Sequence, residues 1–71
     1  MFVEPGLERD PDNVGWVLGW AVLCPVPWHL SGVYSSKGEA EIHAAKQGDK
    51  YLVKYGSHHV GTDDFISVKI I

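Results

Sequence analysis

The chain has 71 residues, is 45% apolar and 21% charged, and carries a formal net charge of −3. This length allows a single small domain and excludes a nucleotide-binding βαβ domain, a catalytic-triad hydrolase or a barrel. One cysteine excludes an internal disulfide, so apolar burial has to offset a chain entropy of roughly 1.5 kcal/mol per residue.

The net charge is confined to the start of the chain. Residues 1–13 hold four acids and one arginine, residues 14–34 hold no charged side chain, and the charges of residues 35–71 sum to zero. Prolines, glycine and a turn-forming Asp-Pro-Asp-Asn run also fall in the first segment. We interpret residues 1–13 as an irregular acidic arm attached to an α+β body formed by residues 14–71.

Two strands are predicted in the charge-free part of the chain. Residues 14–24 alternate large and small apolar side chains, which indicates a strand with both faces covered. Gly15 and Gly19 argue against a helix there and leave room for a close approach. After a stiff, extended Pro25-Val26-Pro27 connector, residues 28–34 alternate again and predict a second, antiparallel strand.

A helix of about three turns is predicted between residues 36 and 48. Ser36 and Glu39 have the capping-box spacing, good helix formers follow, and Gly48 is a natural C-terminal stop. Its apolar side consists of Ala40, Ile42, Ala44 and Ala45, so most of its side chains are small.

The rest of the chain predicts two more strands, at residues 50–55 and 64–70, joined by a loop at residues 56–63. The order β-β-α-β-β predicts an α+β fold, in which a small antiparallel sheet of about four strands carries one helix on one face. Because one short helix covers only part of one face, either the arm or a partner chain has to cover the other.

Composition also limits the surroundings of the protein. The apolar run of residues 14–26 is too short to span a bilayer, and the residues before it are acidic, unlike a signal peptide. We therefore expect no membrane partner and a cytoplasmic location, where Cys24 is a small apolar core residue. The aromatic-rich half lacks Lys and Arg, so we expect no direct binding to nucleic acid.

The only local concentration of catalytic residue types lies near the end of the chain. His58, His59, Asp63 and Asp64 could supply nitrogen and oxygen ligands, so a small metal-dependent enzyme is one alternative. Adjacent residues of an extended chain point to opposite sides, however, so we interpret this segment as a polar turn. We predict no enzymatic activity, no metal and no cofactor.

The stretch from Gly32 to Glu41, followed by that from Gly48 to His58, resembles a strand-helix-strand element common in very small bacterial and phage proteins. In size, acidity, α/β composition and absence of a catalytic signature, the chain resembles the phage-encoded inhibitors called anti-CRISPR proteins. That resemblance implies a non-enzymatic inhibitor that binds a larger cytosolic protein or complex in the host cell, a CRISPR effector. Carboxylates would take the place of phosphates on its DNA-binding surface.

Two sets of residues are candidates for partner binding. The carboxylates are Glu4, Glu8, Asp10, Asp12, Glu39, Glu41, Asp63 and Asp64. The aromatic residues are Trp16, Trp20 and Trp28, since tryptophan is enriched at binding hot spots. A second alternative is a structural or regulatory homodimer that uses the aromatic face of the sheet.

Overall fold

The computed structural model describes residues 1–68. Its elements are β1 (Phe2–Val3), β2 (Trp16–Cys24), β3 (His29–Tyr34), α1 (Lys37–Gln47), β4 (Leu52–His59) and β5 (Phe65–Ser67). The strands form one sheet in the order β1-β3-β2-β4-β5. Strand β1 runs parallel to β3, whereas the other neighbouring strands are antiparallel. The expected α+β class is confirmed, but the sheet is mixed and has five strands rather than four.

The central strand β2 packs apolar side chains on both of its faces. On the face covered by α1, Val22 packs against Tyr34, Ala40 and Ala44, and Trp20 borders this cluster. The small helix residues let α1 lie close to the sheet.

The opposite face of β2 has its own core. Ala21 and Leu23 pack there against Leu30 and Val33, and Leu7 of the arm packs against this cluster. The expectation that both faces of the strand are covered is confirmed, and the arm supplies part of the cover.

The arm is more regular than its composition suggests. Phe2 and Val3 pair with β3. The ring centroids of Phe2 and Tyr34 lie 5.4 Å apart. Further on, Arg9 forms an antiparallel bridge with Val17 of β2. The expectation of an irregular arm was therefore wrong for these segments, because they complete sheet edges that would otherwise keep unpaired backbone groups.

Strand β4 is longer than predicted, and its second half replaces part of the expected loop. Gly56, Ser57, His58 and His59 have turn-like composition, yet they pair with β2 on one side, and the first three pair with β5 on the other. Pairing on both sides overrides the weak strand propensity of these residues. Strand β5 covers Phe65–Ser67 only, and the predicted extension over residues 69–70 lies outside the described residues.

The ends of β2 and β3 also differ from the prediction. Strand β2 begins at Trp16 rather than at Val14, because Gly15 adopts a φ of 87° and closes a turn in which Val14 is fully exposed. The expected extended connector is a turn over residues 25–28 that contains a cis Val26–Pro27 bond.

The helix follows its predicted signals. The Ser36 side chain accepts a hydrogen bond from the Glu39 N–H at 3.2 Å, and Gly48 adopts a φ of 123° beyond the last turn. Ile42 and Ala45 belong to the predicted apolar side but are exposed, because only Ala40 and Ala44, four residues apart, face the sheet. At 11 residues, α1 is not long and apolar enough to cross a membrane.

Replacing Gly19 by alanine should destabilise the fold. An added Cβ would lie 2.7 Å from Val33 Cγ1 and 2.9 Å from the Tyr34 carbonyl oxygen, so we expect a loss of about 1–3 kcal/mol. Gly38→Ala is the matched control, since nothing lies within 4 Å of its added Cβ. Urea unfolding measures both, and equal stability of the two variants would contradict the close approach at Gly19.

Truncating Leu7 tests whether the arm belongs to the core. Leu7 is half-buried against the second cluster, so Leu7→Ala should lower the free energy of unfolding by about 1–2 kcal/mol. Val14→Ala removes an apolar side chain from the same part of the chain, but from full exposure, and should change stability by less than about 0.5 kcal/mol. Equal effects in thermal unfolding would mean that the arm does not contribute to the core.

Candidate functional site

A groove of about 510 Å³ lies where the arm meets the start of β2 and the end of β4. We call it the arm groove and define it by Arg9, Asp10, Val14, Trp16, Val17 and Val60. Its lining is mostly apolar, with one guanidinium and one carboxylate among the lining residues. Concave apolar surfaces with a few polar groups are the usual sites of binding.

Backbone hydrogen bonds hold the walls of the arm groove. The Asp10 N–H donates to the Trp16 carbonyl at 2.9 Å, and the Trp16 N–H donates to the Asn13 carbonyl at 3.2 Å. On the opposite wall, the Val60 N–H donates to the Gly15 carbonyl at 3.0 Å. The groove is therefore built into the fold, which lowers the entropy lost when a ligand binds.

Trp16 is the aromatic surface of the arm groove. Its ring lies parallel to that of His59, with centroids 4.8 Å apart and an interplanar angle of 8°. The side chain is half-buried, whereas Val60 beside it is 53% exposed and Val14 is fully exposed. A supported tryptophan next to exposed valines is typical of a binding hot spot.

Asp10 is the charged group of the groove that the fold fixes most firmly. Its carboxylate accepts hydrogen bonds from the Asp12 N–H at 2.9 Å, the Asn13 Nδ2 at 3.1 Å and the Ser57 hydroxyl at 2.7 Å. These bonds, led by that of Asn13, hold the pKa of Asp10 below its ordinary value. The donors are neutral and no ion pair involves this carboxylate within residues 1–68, so its negative charge is not compensated there.

Some of the predicted partner-binding residues come together at this groove. Asp10 and Trp16 both line it, while Glu8 and Asp12 are exposed on either side of Asp10 in the arm. The Glu8 carbonyl accepts a hydrogen bond from the Leu18 N–H at 2.7 Å, which fixes this part of the arm to β2.

The other two tryptophans that were predicted to bind a partner, Trp20 and Trp28, lie outside the arm groove. The Trp28 indole N–H donates to the Asp63 carbonyl at 3.1 Å, which joins two of the candidates, and Trp28 is 43% exposed. Trp20 lies against Tyr55, with centroids 5.0 Å apart, and borders a second, shallower groove of about 470 Å³. The Lys37 ammonium lies 5.8 Å from the Trp20 ring, so this second groove carries a positive charge.

The predicted carboxylates of the helix do not line the arm groove. Glu39 Oε2 lies 3.7 Å from His43 Nε2 along the helix surface, and Glu41 is exposed. The His43 ring stacks on Tyr34 at 4.5 Å. Burial, together with the negative charges of Glu39 and Glu4, raises the pKa of the Tyr34 phenol. Glu39 and Glu41 therefore lie on the exposed surface of the helix, apart from the arm groove.

The histidine pair does not form a shared ligand set. His58 is fully buried, and its Nδ1 donates to the Asp64 carbonyl at 3.0 Å, whereas His59 stacks on Trp16. The ring Nε2 of His58 has no hydrogen-bond partner among residues 1–68. Within that part of the chain, no group of three or more His, Cys, Asp or Glu side chains could hold a metal ion.

Four of the six residues that define the arm groove are not singled out by the sequence. Arg9 counts there only as a charge in the arm, Val14 and Val17 belong to a predicted strand, and Val60 belongs to a predicted loop. Gly15 is the sequence signal that could have identified Val14. A glycine beside a turn-forming run indicates that the strand begins after it, so the residue before the glycine lies in an exposed turn.

Comparisons of the chain with protein-family models, with curated proteins and with solved structures found no match.

Acid should destabilise the protein partly through Asp10. Because its pKa is lowered by folding, Asp10 contributes stability above its ordinary pKa, and this contribution is lost as the pH falls through the folded value, below about pH 4. In thermal unfolding between pH 2 and pH 7, Asp10→Asn should therefore show a smaller loss of Tm in acid than the unmodified protein.

Asp12→Asn is the control for this measurement. Asp12 is exposed, and its side chain accepts no hydrogen bond from the described residues, so this variant should keep the acid dependence of the unmodified protein. The same flattened profile in both variants would show that the hydrogen bonds of Asp10 are not the cause.

Proposed function

We propose that this protein is a non-enzymatic protein-binding module that docks on a basic, nucleic-acid-binding surface of a larger cytosolic protein and blocks it. The target class is a bacterial nucleic-acid-guided effector, as the resemblance to anti-CRISPR proteins implies. The observation that supports this proposal is the placement of the acidic arm, which is held against the sheet beside an open, mostly apolar groove.

The arm supplies the electrostatic part of the proposed contact. All of the excess negative charge of the chain lies in residues 1–13, and backbone pairing to β2 and β3 orders this segment before binding. Ordered carboxylates lose less entropy on binding than those of a flexible tail. Their field also speeds association with a basic surface, as phosphates would.

The arm groove supplies the apolar part. A modest net charge is weak support for a purely electrostatic phosphate mimic, whereas Trp16, Val14 and Val60 offer an aromatic and two exposed aliphatic side chains at one place. Apolar anchors inside a polar rim are the usual composition of a protein-binding surface. We therefore propose that carboxylates steer the partner and that the groove anchors it.

A panel of guide-loaded, DNA-targeting CRISPR effectors tests this proposal. Purified chain is added to each effector, and binding and cleavage of a matching DNA target are measured. We expect at least one effector to lose DNA binding in competition with DNA, because the chain would occupy the same basic surface. If every effector retains DNA binding and cleavage at saturating protein, the proposed function is wrong.

Charge reversal in the arm tests the mechanism on the inhibited effector. Asp12→Lys places a cation on the exposed side of the arm and should weaken inhibition about tenfold or more. Asp49→Lys is the matched control, since Asp49 is equally an exposed aspartate but follows the helix. Equal weakening by both variants would exclude the arm as the contact.

A further inference from the structure

We infer that the arm groove is a recognition site for an arginine side chain presented by the partner. This inference rests on the proposed function for the identity of the partner as a basic protein. The local chemistry is independent of it, because an aromatic ring, a fixed carboxylate and exposed aliphatic groups lie in one groove.

Trp16 offers the surface on which a guanidinium would stack. Its ring is supported by His59 at a centroid distance of 4.8 Å, and it lines the groove. A planar cation over a tryptophan ring is attracted by the quadrupole of the ring, and arginine makes this contact more often than lysine.

Asp10 offers the opposing charge. A backbone hydrogen bond of 2.9 Å joins its N–H to the Trp16 carbonyl, so the carboxylate and the ring belong to directly paired segments. Three neutral donors hold the carboxylate in place, and none of them cancels its charge. A carboxylate held in this way can accept a charge-assisted hydrogen bond from a guanidinium.

The chain's own Arg9 does not remove this negative potential. Arg9 and Asp10 both line the groove, but within residues 1–68 no ion pair joins their side chains. Residues 8–12 carry three carboxylates, those of Glu8, Asp10 and Asp12, against this single guanidinium. The charge around the groove is therefore complementary to a cationic side chain.

The valines offer an apolar surface to the stem of the bound side chain. Val14 and Val60 are exposed at the groove, and Val17 lines it. The three-carbon stem of an arginine can pack on these groups while its head reaches the carboxylate. A ligand that carries only a charge, or only an apolar group, would use half of the site.

Titration of the full chain with short capped peptides tests this inference. The peptides are acetyl-Gly-Arg-Gly-amide and its versions with lysine, with citrulline (the neutral analogue of arginine) and with glutamate at the centre. Two-dimensional ¹H-¹⁵N NMR follows the Trp16 indole and the Val14 and Val60 amides. We expect the arginine peptide to shift these signals with the highest affinity, the lysine peptide to bind more weakly, and the other two to leave them unchanged.

Asp10→Asn should weaken the arginine peptide about two- to fivefold, the range of an exposed ion pair. Asp49→Asn is the matched control, because it makes the same change at an exposed aspartate that follows the helix and does not line the groove, and it should leave the affinity unchanged. A citrulline peptide that binds as well as the arginine peptide, or equal weakening by both variants, would overturn the inference.

The peptide titration does not use an effector, so the two proposals can fail separately. If effectors are inhibited but the arginine peptide does not bind, only the arginine site is wrong. If the peptide binds and no effector is inhibited, the arginine site is supported and the proposed target class is wrong.

Discussion

Strand β2 has to be covered on both faces and paired along both edges, because it is apolar throughout and lies in the middle of the sheet. Strand β4 pairs with it from Trp16 to Leu23, but β3 pairs only from Trp20 to Cys24. On the side of β2 that faces β3, the residues before Trp20 are left without a strand partner from β3. The arm pairs with this part of β2, at Arg9. The position of the arm therefore follows from completing the hydrogen bonds of one strand.

The same requirement places the negative charge of the chain. An acidic segment would be solvated and mobile if its backbone had nothing to pair with, but here it is held against β2 and β3. To reach β2 the chain makes a turn with Gly15 at a positive φ, which leaves Val14 exposed and Trp16 at the rim. The arm groove lies against that turn, so charge and apolar surface meet there for a structural reason.

Small residues allow close approaches in this short chain, both between neighbouring strands and between the sheet and the helix. An added Cβ at Gly19 would meet the Val33 side chain, and one at Gly56 would overlap the Ile66 carbonyl. Ala40 and Ala44 play the same part under the helix. Close approach at these positions lets the surrounding atoms make dispersion contacts, which fall off steeply with distance.

The sequence by itself determined the elements whose signals are local. The helix limits follow from Ser36 and Gly48, and the strand character of residues 16–24 follows from its alternation, so the α+β class could be predicted. Tertiary structure alone decided two of the strand pairings. Strand β1 has only two residues, which is too short to show an alternating pattern. Residues 56–59 have turn-like side chains and form a strand only because neighbouring strands pair with them. Tertiary structure also decided that the acidic arm and Trp16 share one groove, since edge pairing between distant segments leaves no local pattern.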